Sequence, residues 1–418
     1  MNAKIKYMLA LCVLMCMFTS CGKDDPEIPE DATNGVIDIT DIADTVMSVI
    51  PYLQAPAPTA MTVMWVTFEE CRGSVEYHAD SSVVASGKGT KAYGYDDGIP
   101  VAKTRIHKVL IKNLQAGKKY YYRVNSEKVL KYESYNKVFD EAYYSDIFSF
   151  TTFNDQNTDF TVLVFNDLQR SLGESQLSKF APVIADLKYN LVVFNGNCLN
   201  DLNKEDDLTT WLNKYAKFAK GSQVPVIYLR GNRETRGAMA HLLKNYVDYV
   251  KDGKSYGAMN LGDTRLLFLD TGENKSDNDP GLNDMADYEA YRQEQTNYLD
   301  IELNNPKYTN AAKRVLIHHI PLFSSVMYGR NEYNPGLELW GERLNAANIN
   351  IALTGYVQEF EYIAKEAYDR EMKNNYPVYI GGGLEPNRMT MAVLSKSGSV
   401  LSLKVYDSNG AVKVDETY

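Results

Sequence analysis

Five short apolar runs, each followed at once by polar residues, limit the possible folds of this chain more than any other feature. The runs are FTVLVFNDLQ (160–169), LVVFNGNCLND (191–201), VPVIYLRGNRE (224–234), RVLIHHIP (314–321) and INIALTGYVQ (349–358). Such β-branched runs, apolar on both faces and separated by segments of helix length, are typical of buried strands in a mostly parallel or mixed sheet. Functional sites in open α/β sheets gather at the carboxyl ends of the strands. We therefore interpret the five polar turns as parts of one site.

In order and spacing, these segments resemble the blocks of the calcineurin-like metallophosphoesterase family, which includes the purple acid phosphatases. The blocks of that family read D-x-H, G-D-x-x-D, G-N-H-(D/E), H-x-P and G-H-x-H. The resemblance implies an α/β domain at 158–407 with the four-layer α/β/β/α metallophosphoesterase fold. It also implies hydrolysis of phosphate esters at two metal ions, for which Fe, Zn or Mn is the family norm.

Carried over residue by residue, the resemblance assigns four positions of this chain to the first metal of the family. They are Asp167, Gln169, Asn197 and Gln358. Only Asp167 keeps the residue type of the family, because the other three positions hold a His, an Asp and a His there. The first metal site thus retains one ligand of four.

The second metal of the family is assigned to Asn197, Asn232, His319 and Tyr356, of which Asn232 and His319 keep the family residue type. Asn197 is common to both sites, so the carboxylate that bridges the two metals in the family is an amide here. Arg233 stands at the position of the catalytic His, and an arginine cannot give up its proton. Neither metal site therefore keeps three family ligands, and the catalytic His of the family is replaced by Arg233.

The replacements favour a catalytically inactive binding or scaffold module that needs no cofactor. Enzymes accelerate phosphate-monoester hydrolysis by up to about 10²¹-fold, whereas a lone general base contributes only about 10²- to 10⁴-fold. Asn197 removes one negative charge from the site, and Arg233 can neutralise Asp167. We expect a small anion or phosphorylated ligand between Arg233, Asn232 and His319. The alternative for Arg233 is a solvated side chain at the mouth of the cleft.

Two other functions stay open. The first is an active phosphoesterase with a single divalent metal on Asp167, Asn232 and His319, helped by the oxygen atoms of Gln169 or Gln358, an arrangement that suits magnesium or calcium. The second is a purely structural part of a surface assembly. A lone Asp or Asn at a strand end is most often a turn or cap residue, so only the five-block pattern supports a functional interpretation.

The start of the chain has the features of an export signal. Lysines precede an apolar run at 7–18 that is too short to span a membrane. The letters FTSC at 18–21 resemble a bacterial lipobox, which implies a signal peptide at 1–20, lipidation of Cys21 and a tether at 21–48. The alternative is a cleaved secretory signal without lipid.

The tether and the overall charge bear on location and partners. Residues 22–25, Gly-Lys-Asp-Asp, resemble the acidic tether of some Gram-negative surface lipoproteins. We therefore expect a lipid anchor in the outer membrane, at the cell surface, with a surface protein or a glycan as a further possible partner. A net charge of −10 without a Lys/Arg block argues against nucleic acid.

Between the tether and the α/β domain, residues 49–153 carry only β signals: MTVMWVTF, GSVEYHA, RIHKVLIKNL, KKYYYRV and FSFTT. PYLQAPAPTAMTVMW together with HKVLIKNLQAGKKYYYRV resembles the fibronectin-like N-terminal domain of purple acid phosphatases. We therefore predict an all-β sandwich of fibronectin type III-like fold in front of the α/β domain. Cys71 and Cys198 fall in different domains, so we expect no bridge between them. Residues 408–418 are interpreted as a C-terminal tail.

Helical periodicity in the α/β domain predicts five helices. Their expected positions are 175–188, 206–220, 237–249, 288–304 and 337–348.

Overall fold

The computed structural model describes residues 46–168, 173–199, 201–251, 253–383 and 388–418, and for 173–176 the backbone alone. Two residues of the predicted sites, Cys21 and Gln169, lie outside these ranges, as do the predicted signal peptide and most of the predicted tether. Within the described part of the chain, no helix combines the length and the apolar character that crossing a membrane requires.

A long bent strand organises the N-terminal domain. The first half of β2 (Ala60–His78) pairs antiparallel with β1 (Met47–Ala57) and β6 (Thr104–Ile111), and its second half pairs with β3 (Thr90–Tyr93) and β7 (Lys119–Tyr132). A register shift between Val66 and Cys71 marks an irregularity of the kind that bends a strand. Trp65 from the first half and Val75 from the second lie in the same core, so the two halves face each other across a β-sandwich. The segments MTVMWVTF and GSVEYHA, predicted as separate strands, are therefore one strand.

The elements of this domain are β1 (Met47–Ala57), β2 (Ala60–His78), α1 (Ser81–Ala85), β3 (Thr90–Tyr93), β4 (Tyr95–Asp96), β5 (Ile99–Pro100), β6 (Thr104–Ile111), β7 (Lys119–Tyr132), β8 (Lys137–Tyr144) and β9 (Phe148–Thr151).

Two six-stranded mixed sheets form the centre of the second domain. The first sheet has the order β12-β11-β10-β19-β20-β21 and the second the order β13-β14-β15-β16-β18-β17. Their strands are β10 (Phe160–Phe165), β11 (Leu191–Asn195), β12 (Val226–Leu229), β13 (Gly257–Leu261), β14 (Thr264–Phe268), β15 (Lys313–Ile317), β16 (Ile351–Thr354), β17 (Glu361–Ile363), β18 (Val378–Ile380), β19 (Thr390–Ser397), β20 (Val400–Asp407) and β21 (Val412–Thr417).

Each central strand is apolar on both faces because both faces are covered. In β10, Val162 and Val164 pack between the two sheets, whereas Leu163 and Phe165 pack against the helices on the outside. This alternation follows from the two-residue period of a strand. Helices α2 (Gly173–Ile184) and α3 (Glu205–Phe218) cover the first sheet, and α5 (Tyr288–Glu302) and α8 (Pro335–Asn345) cover the second. The predicted α/β/β/α layers behind an all-β domain are confirmed.

The helices of the second domain are α2 (Gly173–Ile184), α3 (Glu205–Phe218), α4 (Leu243–Tyr246), α5 (Tyr288–Glu302), α6 (Pro306–Thr309), α7 (Ser325–Gly329) and α8 (Pro335–Asn345), with short 3₁₀ helices at Ala240–Leu242 and Pro280–Leu282.

The structure differs from the sequence prediction at two segments. The helix predicted at 237–249 is reduced to a 3₁₀ turn and the single turn of α4, because the chain beyond it contacts the N-terminal domain: the backbone N–H of Asp248 donates to Gln54 Oε1 (3.1 Å). The segment at 408–418, interpreted as a tail, contains β21, which pairs with β20 and completes the first sheet. An edge strand has only one neighbour, so its apolar pattern is weak.

Buried hydrogen bonds join the two domains, both of which belong to one compact unit. The Tyr52 hydroxyl donates to the carbonyl of Tyr246 (2.6 Å), and the Tyr122 hydroxyl donates to the carbonyl of Ser222 (2.8 Å). Tyr52 also packs in the core between the first sheet and its helices. Cys71 and Cys198 are buried and free, which confirms that they form no bridge.

His107 is a buried histidine of the N-terminal domain. Its ring stacks on Trp65 with the centroids 4.6 Å apart, and its Nε2 lies 3.1 Å from Thr67 Oγ1. Burial lowers the pKa of His107 to about 3. The folded domain therefore holds a neutral imidazole, whereas the unfolded chain takes up a proton near pH 6.5, roughly the model-peptide value.

We predict that acidification from about pH 7.5 to about pH 5 lowers the free energy of unfolding by about 2 kcal/mol through His107. The sign follows from the lowered pKa: the full contribution is present above the unfolded pKa, and protonation of the unfolded chain removes it as the pH falls. Urea unfolding of His107→Gln over this range is expected to show a shallower pH dependence, with the exposed His241→Gln as the control. Equal slopes in the two variants would contradict the prediction.

Candidate active site

The turns after five strands meet at one edge of the two central sheets. Asp167 follows β10, Asn197 follows β11 and Asn232 follows β12 in the first sheet, while His319 follows β15 and Tyr356 follows β16 in the second. The backbone N–H of Tyr356 donates to Asp167 Oδ2 at 2.6 Å, which joins the two sheets at this point. The structure therefore brings these five predicted site residues together.

Several of these turns have strained backbones. Asp167, Asn197, Tyr356 and Gln358 have φ angles of 52°, 53°, 74° and 58°. A side chain other than glycine rarely adopts this left-handed conformation, and an aromatic residue does so least readily. The unusual backbone turns the side chains of Asp167 and Asn197 into the space between the sheets.

Asn197 lies at the centre of the hydrogen-bond network. Its Oδ1 accepts from the backbone N–H of Arg233 (3.0 Å), and its Nδ2 donates to Asp167 Oδ1 and to Asn232 Oδ1, both at 3.1 Å. A backbone N–H can only donate, so the amide oxygen must face Arg233. The NH₂ group of Asn197 is thereby directed at the other two oxygen atoms.

Asp167 is fully buried beside this amide. Burial raises the pKa of Asp167 to about 7, against the hydrogen bonds from Tyr356 and Asn197 and the positive charge of Arg233, which all lower it. The charge of Arg233 thus acts on Asp167 in the direction expected from the sequence. Both carboxylate oxygen atoms of Asp167 accept N–H groups of the protein.

His319 lies beneath the cleft and does not line it. Its Nδ1 is 2.8 Å from the carbonyl of Asn195, so Nδ1 carries the proton and Nε2 presents a lone pair. Nε2 is 3.7 Å from Asp167 Oδ1 and has no hydrogen-bond partner among the described residues. Burial lowers the pKa of His319. The structure therefore places His319 outside the lining of the cleft in which the sequence analysis expects it to help hold an anion, and its inward lone pair is not a hydrogen-bond donor.

Glu234 is a site residue to which the sequence interpretation assigned no role. It is buried, and its carboxylate accepts the backbone N–H groups of Asn197, Leu199 and Gly231, each at 2.8 Å. It thereby ties the turn after β11 to the turn after β12. Its position directly after Arg233, where the family block has Asp or Glu, was the available signal.

A second network reaches the site from the loop after β14, where the sequence shows no motif. Arg236 forms a bidentate pair with the buried carboxylate of Glu273, with both distances at 2.7 Å. Asn274 accepts from Asn232 Nδ2 (3.3 Å) and donates to the Tyr356 hydroxyl (2.7 Å). This loop therefore fixes the side chains of Asn232 and Tyr356.

Above these networks lies a cleft of about 310 Å³ whose walls carry four arginines. Arg330 pairs with Glu359 (2.7 Å) and lies 3.5 Å from Glu332, and Arg388 lies 3.6 Å from Glu359. The cleft is lined by Asn197, Asn232, Arg233, Arg236, Asn274, Arg330, Glu332, Tyr356, Val357, Gln358, Glu359 and Arg388. Its surface therefore presents guanidinium and amide donors together with the carboxylates of Glu332 and Glu359.

The described residues do not fit a pair of metal ions. Among them, no three side chains of His, Cys, Asp or Glu come together as a metal site. Asp167 is the one carboxylate at the assigned positions, and Asn197 directs an NH₂ group, which has no lone pair to offer, at the oxygen atoms of Asp167 and Asn232. Gln358 lines the cleft, and Gln169 lies outside the described residues.

Comparison with known families finds two matching domains. Residues 47–152 match the model of the purple acid phosphatase N-terminal domain, and residues 160–355 match that of the calcineurin-like phosphoesterases. No curated protein sequence matches the chain.

Solved structures resemble the chain over most of its length. A purple acid phosphatase from seeds of yellow lupin (Lupinus luteus) superposes with a TM-score of 0.62 and 14% identity, over 88% of this chain and 73% of the other. A structure of PhoD superposes with a TM-score of 0.58 and 12% identity, over 90% of this chain and 94% of the other. At these identities, the similarity supports the fold alone.

Proposed function

Since the chain carries a calcineurin-like phosphoesterase domain behind a purple acid phosphatase N-terminal domain, we propose that it is a non-catalytic binding module of this family. Its ligand is a small anion or a phosphorylated molecule, bound in the arginine-lined cleft. One observation carries the proposal: among the described residues, the cleft has donors that recognise an anion, and its two carboxylates, Glu332 and Glu359, lie beside Arg330. Four guanidinium groups line the cleft, while Asp167 and His319 are buried beneath it.

The large rate acceleration that phosphate-ester hydrolysis requires argues against turnover at this site. Metal ions in hydrolases lower the pKa of bound water from about 15.7 to about 7 and neutralise charge on the substrate. The residues of this site do not fit that metal pair. Arg233 cannot act as a base, and burial raises the pKa of Tyr356, which keeps its hydroxyl protonated. The carboxylates in the cleft wall, Glu332 and Glu359, lie beside Arg330.

We further propose that the protein is exported and attached to a membrane by lipid on Cys21, at the surface of the outer membrane. The support is the sequence FTSC at 18–21 behind an apolar run, followed by an acidic tether. Acyl chains hold a protein on a membrane without crossing it. The cleft would then face the surroundings of the cell, where a phosphorylated ligand, a glycan or a surface protein is accessible.

One observation favours an alternative function, a phosphoesterase with a single divalent metal. Nε2 of His319 presents a lone pair without a hydrogen-bond partner among the described residues, 3.7 Å from Asp167 Oδ1. The side-chain oxygen of Asn232 contacts the same amide as Asp167 does. These three residues are the ligands that the single-metal alternative requires.

We predict that isothermal titration with phosphate or sulfate shows saturable binding to the wild-type protein. Arg233→Gln is expected to weaken binding by about 10-fold or more, because a charge-assisted hydrogen bond contributes about 1.5 to 3 kcal/mol. Arg343→Gln is the matched control, since Arg343 is exposed and pairs with Asp300 outside the cleft. Absence of binding to the wild type, or equal losses in both variants, would refute the anion site.

We predict no hydrolysis of p-nitrophenyl phosphate above the rate in buffer with added Mn, Zn, Mg or Fe. Elemental analysis of the purified protein is the companion measurement. Metal near one ion per chain, together with turnover that Asn232→Ala abolishes, would establish the single-metal alternative.

We predict that cells expressing the full chain incorporate a palmitate analogue into it and that Cys21→Ala abolishes the label, because the thiol of this cysteine is the acceptor. Cys71→Ala is the control, since Cys71 is buried in the N-terminal domain. A Cys21→Ala protein that keeps its label would rule out this anchor.

A further inference from the structure

We propose that the side-chain amide of Asn197 is a built-in substitute for a metal ion: its NH₂ group holds the oxygen atoms of Asp167 and Asn232 together and keeps metal out of the site. This inference rests on the proposed non-catalytic function and deepens it. It assigns the exclusion of a single metal ion from Asp167, Asn232 and His319 chiefly to one side chain, whose exchange is expected to reverse it.

A neighbouring backbone N–H fixes the orientation of the Asn197 amide. The only hydrogen-bonding role of the Arg233 backbone N–H is to donate, and it does so to Asn197 Oδ1 at 3.0 Å. In the opposite orientation, the NH₂ group of Asn197 would face the Arg233 N–H, which is also a donor. The oxygen atoms of Asp167 and Asn232 would then each lose a hydrogen bond, at a cost of about 1 to 3 kcal/mol for each. The NH₂ group therefore faces Asp167 and Asn232, one N–H to each oxygen at 3.1 Å.

The contact of the Asn197 NH₂ group with two oxygen atoms resembles that of a metal ion. A cation between two oxygen ligands attracts both of them, and here two N–H dipoles attract both in the same way. The amide adds no net charge, and the carboxylate that its NH₂ group contacts is that of Asp167, which is fully buried. The amide therefore makes the contacts that a metal ion between the two oxygen atoms would make.

The groups next to the Asn197 amide still suit a metal ion. Nε2 of His319 has no hydrogen-bond partner among the described residues and lies 3.7 Å from Asp167 Oδ1. An imidazole lone pair and a carboxylate are common ligands of zinc and manganese. A carboxylate at position 197 would add the missing bridging oxygen atoms and remove the two N–H donors.

The backbone accepts that exchange. Asn197 has a left-handed φ of 53°, and Asn and Asp are the residues other than glycine that most readily adopt it. A carboxylate has almost the size of a carboxamide and keeps an oxygen for the Arg233 N–H. Asn197→Asp therefore changes the sign of the group that faces Asp167 and leaves the packing intact.

The test is titration of wild-type and Asn197→Asp protein with Mn²⁺ and Zn²⁺, by calorimetry and by thermal unfolding. In EDTA, the variant is expected to have a lower Tm than the wild type, because two carboxylates face each other in a buried site. Metal is expected to restore the Tm and to bind the variant about 100-fold more tightly than the wild type. Adding His319→Gln to Asn197→Asp is expected to abolish the gain.

The matched control is Asn195→Asp, the same chemical change at a buried amide two residues away. In the wild type, Asn195 Nδ2 contacts Asn166 and the carbonyl of His318 and does not reach Asp167. A folded Asn197→Asp protein that binds no more metal than the wild type or than Asn195→Asp would overturn the proposal. Tight metal binding by the wild type would overturn it too.

A second variant decides the question if Asn197→Asp does not fold. Asn197→Ala removes the two N–H donors and adds no charge, so Asp167 loses one partner. Mn²⁺ or Zn²⁺ is expected to raise the Tm of Asn197→Ala but not that of the wild type, and equal responses would refute the exclusion of metal by the amide. The anion-binding test uses the wild type and substitutions at Arg233 and Arg343 but none at Asn197, so failure of this inference is distinguishable from failure of the proposed function.

Discussion

The carboxamide of Asn197, held between Asp167 and Asn232 by the backbone N–H of Arg233, is the contact on which the rest of the site depends. It joins the turns after three neighbouring strands and compensates a carboxylate that has no access to water. A buried polar network of this kind is stable only when its members find partners, because each lost bond leaves a desolvated group. The carboxylate of Glu234 completes it from below by accepting three backbone N–H groups. These hydrogen bonds therefore connect the turns after β10, β11 and β12 through protein groups alone.

The fold explains why these residues meet. Strands β10, β11 and β12 run parallel, so the turns at their carboxyl ends lie side by side. The second sheet faces the first across an apolar layer and places the turns after β15 and β16 against them. Left-handed backbone at Asp167 and Asn197 then turns the side chains inward. The glycines beside the carboxylate are required by space, since a Cβ at Gly355 would lie 2.6 Å from Asp167 Oδ2. The fold thus places the side-chain amides of Asn197, Asn232 and Asn274 next to a cleft that four arginines line.

The pattern of apolar residues predicted the strands of the α/β domain well because a strand covered on both faces has a clear signature. The pattern failed where a long-range contact decides the local structure. The segment at 237–249 has helical periodicity, but contacts of Asp248 and Tyr246 with the N-terminal domain end the helix after one turn. Strand β2 was divided in two because the irregular stretch after Val66 is indistinguishable from a turn in sequence. The edge strand β21 was missed because only one neighbour covers it.

Residue types alone establish which groups are available at the five turns: one carboxylate, several amides, a histidine and an arginine at positions where the family has metal ligands and a catalytic base. They also leave each metal site of the family with at most two of its four ligand types, because donor chemistry is a property of the side chain itself. The direction of each group is a different matter. That His319 lies beneath the cleft with an inward lone pair, and that Asn197 presents nitrogen rather than oxygen to Asp167, depends on hydrogen-bond partners from distant segments. Only the packed structure brings those partners together, since orientation is set by the neighbours that a group meets in space.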